Sequence, residues 1–403
     1  MKLTVKIIFI FLVVASISFC SVTDTCKTYS ISSDRLNELH ELYVNGKLQY
    51  NKAFQELIAR SNNFLDMKPV SVMDKQLTPP SGNKHDYMSM GPYWWPNSKT
   101  KNGLPYIRKD GETNPGIRKI TDHSYEGKMG SAVSTLSLAY YITKDPEYSR
   151  KASKLLRVWF LDDSTKMNPN LNYAQGIPGI CTGRGIGIIE TRNMYEIVDA
   201  IGMLETSNEW SKEDDIGIRK WFTEYLNWLR TSKYGNDEYN WKNNHGTWCS
   251  VQIVAVSLFL GKDELAKQVL NEAKTKRIGH QIRSDGGQPE ELARTKSWSY
   301  SVFNLTALFH LAGLGDNVGI DLWNYKNQKG GSIRKALDYI LSHSLHPEDW
   351  KYKQITKIDV GSLYPLLLVA EKKYDMKTYS DWINKLSIGN QDKQIYNLLY
   401  AES

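Results

Sequence analysis

Leu36-Asn37-Glu38-Leu39-His40-Glu41-Leu42-Tyr43 places apolar side chains three and four residues apart, and Phe54-Gln55-Glu56-Leu57-Ile58 starts the same pattern again a few residues later. That spacing gathers side chains onto one stripe of an α-helix, which turns once in about 3.6 residues. Outward from this pair the pattern recurs, at 130–142, 147–160, 190–204, 212–231, 248–260, 263–276, 298–312, 332–343 and 361–373. Loops rich in Gly, Pro, Asn and Trp separate the stretches, and segments alternating apolar with polar residues are few. The reading is an all-α chain of successive helical hairpins. No motif repeats at a fixed period, which argues against a regular solenoid.

Two loops are too long to be plain connectors. The first spans about 77–123 and contains His85-Asp86-Tyr87-Met88-Ser89-Met90-Gly91-Pro92-Tyr93-Trp94-Trp95-Pro96-Asn97. The second spans about 233–247 and contains Tyr239-Asn240-Trp241-Lys242-Asn243-Asn244-His245-Gly246-Thr247-Trp248. Their aromatic density argues against disorder. No Ser/Pro-rich linker divides the chain, so residues 27–403 read as a single catalytic domain.

The N-terminus sets the expected compartment. Lys2 and Lys6 precede the apolar run Ile7–Ala15, followed by small and polar residues, the pattern of a secretory signal over 1–20. The run is short of the roughly 20 residues a membrane span needs. Cys20 is a candidate for lipidation, although bulky Phe19 precedes it; a periplasmic or exported protein is expected with or without that anchor. Of the other cysteines, Cys26 is expected to face solvent. Cys181 and Cys249 are expected as buried thiols, with pairing in an oxidising compartment as the alternative. No CxxC spacing points to zinc.

Composition narrows the partner. The 403 residues are 41% hydrophobic and 24% charged, enough for a sizeable core. The unusual entries are 12 Trp and 24 Tyr, the residue types on which sugar rings stack. A formal charge of +7 suits an anionic partner. No Lys/Arg-rich block or nucleic-acid motif is present, so an acidic glycan fits better than nucleic acid. A monomer is expected.

Two short segments carry candidate chemistry. Asn243-Asn244-His245, just before the helical run at Trp248, reads either as a helix cap or as a carboxamide and an imidazole offered together at a loop end. Glu290-Glu291-Leu292-Ala293-Arg294-Thr295-Lys296-Ser297-Trp298-Ser299-Tyr300 follows a strong loop signal, Ser284–Pro289. Arg294 and Tyr300 reach one pocket if this segment opens with a turn rather than a continuous helix. The alternative is an ion-paired surface Arg and a core Tyr.

Taken together, Asn-Asn-His followed by Trp and Glu-Leu-x-Arg followed by Tyr resemble the alginate lyase superfamily. The resemblance extends to Tyr87–Pro96, to Leu104-Pro105-Tyr106 with Asp110-Gly111-Glu112, and to Gly185-Ile186 with Glu190-Thr191-Arg192, covering roughly 75–315. It implies an (α/α) incomplete toroid, a broken ring of helical hairpins around a cleft, and eliminative cleavage of a uronic-acid glycan. By position it assigns the catalytic set to Asn244, His245, Arg294 and Tyr300. Classical bacterial alginate lyases carry one more residue between the Arg and the Tyr, which leaves the exact polyuronate open.

The implied chemistry has a physical logic. The C5 proton of a uronate is poorly acidic beside a charged carboxylate. Donors from Asn244, His245 and Arg294 would neutralise that charge and stabilise the enolate-like intermediate, so neither metal nor cofactor is required. Tyr300 would then take the C5 proton and protonate O4, its acidity raised by Arg294 and His245; on the opposite epimer His245 would be the base. Tyr93, Trp94 and Trp95 read as a sugar-stacking platform or lid, or as pins holding the long loop to the core. Lys84 and Arg192 are candidate partners for substrate carboxylates, Arg192 alternatively pairing with Glu196. Tyr239 and Trp298 complete the candidate substrate-binding set. Mannuronate-rich alginate is the expected substrate, with glucuronan or another polyuronate as the alternative. Two rivals are an (α/α)-barrel hydrolase using a pair among Asp285, Glu290, Glu291 and Glu190, and a non-catalytic glycan-binding protein.

Overall fold

The computed structural model describes residues 26–49, 51–386, 388–389 and 394–400. The expected signal segment 1–20 and the candidate anchor Cys20 lie outside the described residues. The principal helices, in chain order, are α1 (Ser33–Val44), α2 (Lys52–Leu65), α3 (Asp122–Thr143), α4 (Pro146–Leu156) and α5 (Met194–Leu204). They continue with α6 (Lys212–Thr231), α7 (Lys233–Tyr239), α8 (Asn244–Phe259), α9 (Asp263–Ala273) and α10 (Pro289–Leu292). The last are α11 (Ser297–Asp316), α12 (Ile333–Leu341), α13 (Tyr364–Lys373), α14 (Met376–Leu386) and α15 (Tyr396–Tyr400).

Their packing is that of an (α/α) toroid. Helices α3, α5, α8 and α11 pack one on the next as an inner series, while α4 backs α3, α9 backs α8 and α12 backs α11. The sequence encodes this split. Every residue of α8 except His245 is buried, and α3 and α11 are buried on most sides. A helix apolar all round belongs inside. The outer α9 and α12 instead bury one stripe each, Ala266, Val269, Leu270 and Ala273 in the first, and Ile333, Ala336, Leu337, Ile340 and Leu341 in the second. The C-terminal α15 returns to contact α1 and α2, and Arg35 Nε donates to the Leu398 carbonyl at 2.6 Å.

The loop at 77–123 is ordered by small pieces of sheet. Strand β1 (Met88–Met90) pairs in parallel with β4 (Tyr173–Gly176), and β2 (Trp94–Trp95) pairs antiparallel with β3 (Ile107–Arg108). At the loop's root Lys75 Nζ and Asp122 form a fully buried ion pair at 3.0 Å, and Asp122 also accepts the Met88 amide at 2.9 Å.

Two expectations change, and a third, the unpaired thiols of Cys181 and Cys249, holds. The loop read at 233–247 is mostly α7, nucleated by Ser232, whose side chain caps the Gly235 amide, so only 240–243 is a connector. Cys26 is buried rather than solvent-facing, set against Tyr141 and Lys144. Cys181 and Cys249 are free thiols, Cys249 buried and Cys181 partly so.

Candidate active site

Asn243 caps α8, its side-chain oxygen accepting the His245 amide at 3.1 Å. This fixes the next two side chains at the helix's open end. His245 Nδ1 lies 2.9 Å from Glu238 Oε1, a carboxylate oxygen that can only accept, so Nδ1 carries the proton and Nε2 is left as the basic nitrogen. Glu238 itself is fully buried on α7. Asn244 is likewise buried. Its backbone amide donates to Glu291 Oε1 at 2.7 Å, and its Nδ2 donates to Oε1 at 3.0 Å and Oε2 at 2.8 Å. Its Oδ1 has no partner among the described residues. Burial pushes the Glu291 carboxyl up to about 7, against the pull of the Asn244 donors and of the nearby Arg294 and His245.

The chain breaks between α10 and α11, and Arg294 sits in the break. That break lets the guanidinium fold back over the Tyr300 ring, 3.8 Å from its centroid. Asp110, on the separate turn that follows β3, receives Arg294 Nη2 at 2.9 Å and Nε at 3.3 Å, and Thr295 Oγ1 at 2.9 Å. Burial opposes ionisation of Asp110, but these donors and the Arg294 charge hold its carboxyl well below the usual range.

The Tyr300 hydroxyl is 2.6 Å from the Tyr93 hydroxyl. Tyr93 is pinned at its backbone, where its carbonyl accepts the Lys109 amide at 2.8 Å. One correction follows. Arg294 does favour the phenolate, but burial and the Tyr93 hydroxyl outweigh it, so the Tyr300 phenol is less acidic than a free tyrosine, not more.

The structure thus joins Tyr93, Arg294 and Tyr300 directly, and Asn244, His245 and Arg294 around Glu291. Trp94 lies beneath the Arg184 guanidinium at 5.8 Å, and Trp95 donates from Nε1 to the Glu112 carbonyl at 3.0 Å with Lys109 over its ring at 4.9 Å. Both indoles are half-buried, so they pin the hairpin and still present surface. Arg192 lies 5.5 Å over the Phe303 ring, one turn along α11 from Tyr300, and its charge acts on Glu126 and Glu196.

Three candidates are buried or engaged in contacts of their own. Trp298 is 1% exposed and packs edge-on to Trp350, because the inner helix that carries it has no solvent side at that position. Tyr239 is buried, its hydroxyl donating to Glu272 at 2.8 Å beneath Arg230, Lys276 and Arg277. Lys84 Nζ donates to the Met73 carbonyl at 3.2 Å and so fastens the long loop.

Three contributors escaped the sequence reading in their observed roles. Asp110 was visible only as part of a loop motif, and it meets Arg294 from 184 residues away. Glu238 carried no signal. Glu291 was weighed only as a hydrolase carboxylate, and the other three of that set are occupied or outlying. Glu190 is buried and accepts from Tyr87 and Ser89, Asp285 is paired with Arg283 at 3.0 Å, and Glu290 is exposed.

Comparisons agree with this architecture. Residues 71–350 match the family model described as alginate lyase. A solved alginate lyase from Bacteroides ovatus is 37% identical, with a TM-score of 0.89 over 94% of this chain and 100% of that one. Alginate lyase A1-III from Sphingomonas species A1 shares the fold at 15% identity, with a TM-score of 0.56 over 88% of this chain and 97% of that one. A histidine-to-alanine variant of alginate lyase A1-III, solved with a tetrasaccharide, gives 14% identity and a TM-score of 0.62 over 94% and 97%. No curated protein sequence matches the chain. The fold and these matches define a polysaccharide lyase on an incomplete helical toroid. The chain belongs to the alginate lyase family.

Proposed function

We propose that the chain cleaves a mannuronate-rich, alginate-type polyuronate by β-elimination, with Tyr300 as the acid and base. The observation that carries this reading is the Tyr300 hydroxyl, hydrogen-bonded to Tyr93 at 2.6 Å under the Arg294 guanidinium. A phenol under a cation can lose its proton to solvent and, as the phenolate, take the C5 hydrogen, while the Tyr93 hydroxyl donates to the phenolate oxygen; handing that hydrogen to O4 restores the phenolate for the next turnover.

In the reaction the C5–H bond breaks and its electron pair forms the C4=C5 double bond. The C4–O4 bond breaks, and O4 leaves with a proton. Tyr300, after giving up its own proton, accepts the C5 hydrogen and returns it to O4 when both lie on one face of the sugar. Arg294 offsets the cost of the transient phenolate. Arg294, together with His245 once Nε2 has also taken a proton, supplies positive charge and donors to the C5 carboxylate, lowering the barrier to the enolate-like intermediate. When hydrogen and leaving group lie on opposite faces, Nε2 of His245 is the base and Tyr300 only the acid. The electropositive balance of the chain favours an anionic polymer.

Tyr300→Phe tests the assignment, since it removes one oxygen and keeps the ring under Arg294. Turnover, read as the growth of ultraviolet absorbance from the unsaturated product, is expected to fall at least about 10³-fold. Binding of the polymer and thermal stability should change little. Retention of more than about a tenth of wild-type turnover removes Tyr300 from the role. Comparing mannuronate-rich with guluronate-rich chains tests the substrate.

A further inference from the structure

Of the twelve tryptophans, Trp241 is the one more than a third exposed, at 46%. Single exposed apolar residues are ordinary on protein surfaces, so exposure alone says nothing. What distinguishes Trp241 is how firmly its backbone is registered to His245. Its amide donates to the Glu238 carbonyl at 3.0 Å, and Glu238 is the residue whose carboxylate holds His245 Nδ1. Its carbonyl accepts from Arg277 Nη1 at 3.1 Å, and the buried Arg277 also ties the Tyr239 carbonyl and the Ser250 hydroxyl. Gly246 completes the seat: a Cβ there would lie 2.1 Å from the Trp241 carbonyl oxygen, so only glycine lets α8 begin so close. The indole and the imidazole stand 6.4 Å apart between centroids, at 67° to each other, so the two rings do not stack and the indole is not consumed by its neighbour.

We propose that Trp241 is the stacking platform of a sugar subsite adjoining the reacting one, receiving the C–H face of the uronate ring next to the ring held at His245. This rests on the reading that His245 and Tyr300 flank the reacting sugar. A rigid backbone with an open ring is what such a platform requires. With the backbone fixed, only the two side-chain torsions of the indole remain to be ordered on binding. The adjacent Lys242 is exposed and carries the charge sign a uronate carboxylate prefers.

The test uses the full chain and the variants Trp241→Ala and Trp241→Phe. Initial rates are measured on polymannuronate and on a ladder of mannuronate oligomers, and affinity is read from retardation in gels containing alginate. Trp241→Ala is expected to lower kcat/KM on polymer about tenfold, the scale of one aromatic stacking contact. The loss should be carried by KM, shrink as oligomers shorten past the subsite, and be largely restored by Trp241→Phe. Alginate retardation should weaken in parallel. Equal loss at every chain length, carried by kcat, would show that Trp241 acts on His245 rather than on sugar and would overturn the proposal. So would unchanged rates and retardation. If the wild-type chain yields no unsaturated product, the reaction assignment fails, and the gel comparison still decides the subsite.

Discussion

Asn244 spends its Nδ2 hydrogens on Glu291, and the end of the amide left over is an acceptor. A uronate carboxylate needs donors. Protonating Glu291 reverses the pair, because the acid can donate to Oδ1 and release Nδ2. Burial sets that carboxyl at about 7, with Arg294 and His245 facing it, Asp110 behind Arg294 and Glu238 behind His245. If binding selects the protonated pair, wild-type kcat/KM falls as pH rises through about 7. Glu291→Gln, an uncharged mimic of the acid, is then expected to keep activity and lose that fall. A pH–rate series on both proteins decides the point, and a Gln variant dead at every pH would show that the charge itself is needed. At this scale the sequence was partly legible. Asn244, His245, Arg294 and Tyr300 stood in recognisable order. Trp298 was misplaced because an inner helix apolar on most sides gives no sign of which face is open, and Tyr239 because the polar α7 that buries it reads as a loop.

Between elements, the contact that matters most is the one from the turn after β3 to the α10–α11 break. Asp110 makes it, with Arg294 and Thr295 both bound to one carboxylate. The pair is largely shielded, its side chains 15% and 22% exposed. Asp110→Ala leaves Arg294 without its anchor, and the cost is expected near 1–3 kcal/mol of stability and at least about tenfold in kcat. Urea denaturation and initial rates check the two halves. Unchanged kcat with lowered stability would mean the turn braces the fold without aiming Arg294. The helices were readable from periodicity, since inner and outer members differ in how much of the circumference is apolar. The strand pieces were not, because two- and three-residue strands leave no alternation to detect. Nor was α7, whose polar sequence, Lys-Tyr-Gly-Asn-Asp-Glu-Tyr, has weak helix propensity and depends on its Ser232 cap.

Across the molecule, several acids are buried with raised affinity for protons: Glu126 at about 8, Glu291 at about 7 and Asp199 at about 6, each because burial disfavours the charged form. A raised carboxyl pKa means the folded state binds more protons than the unfolded one between the two values, so its stabilisation is lost as pH rises through the folded value. His310, lowered to about 4 by burial, works the other way, but only below about 6.5. The melting temperature is therefore expected to rise as pH falls from about 9 to about 6. Glu126→Gln should reduce that rise. Scanning fluorimetry across pH checks it, and a melting temperature that climbs with pH over this range contradicts the assignment. The join at Arg35 and Leu398 has a different bearing, on the order of assembly. Those residues are 363 positions apart, whereas most helices of the ring pack on near neighbours in sequence. As the chain emerges from the ribosome, hairpin can settle on hairpin while synthesis continues, but the clasp waits until Leu398 has been made. A nascent chain therefore carries Asn244, His245, Arg294 and Tyr300 in order well before α15 returns to α1 and α2, and a stop ahead of Leu398 would leave that clasp unmade.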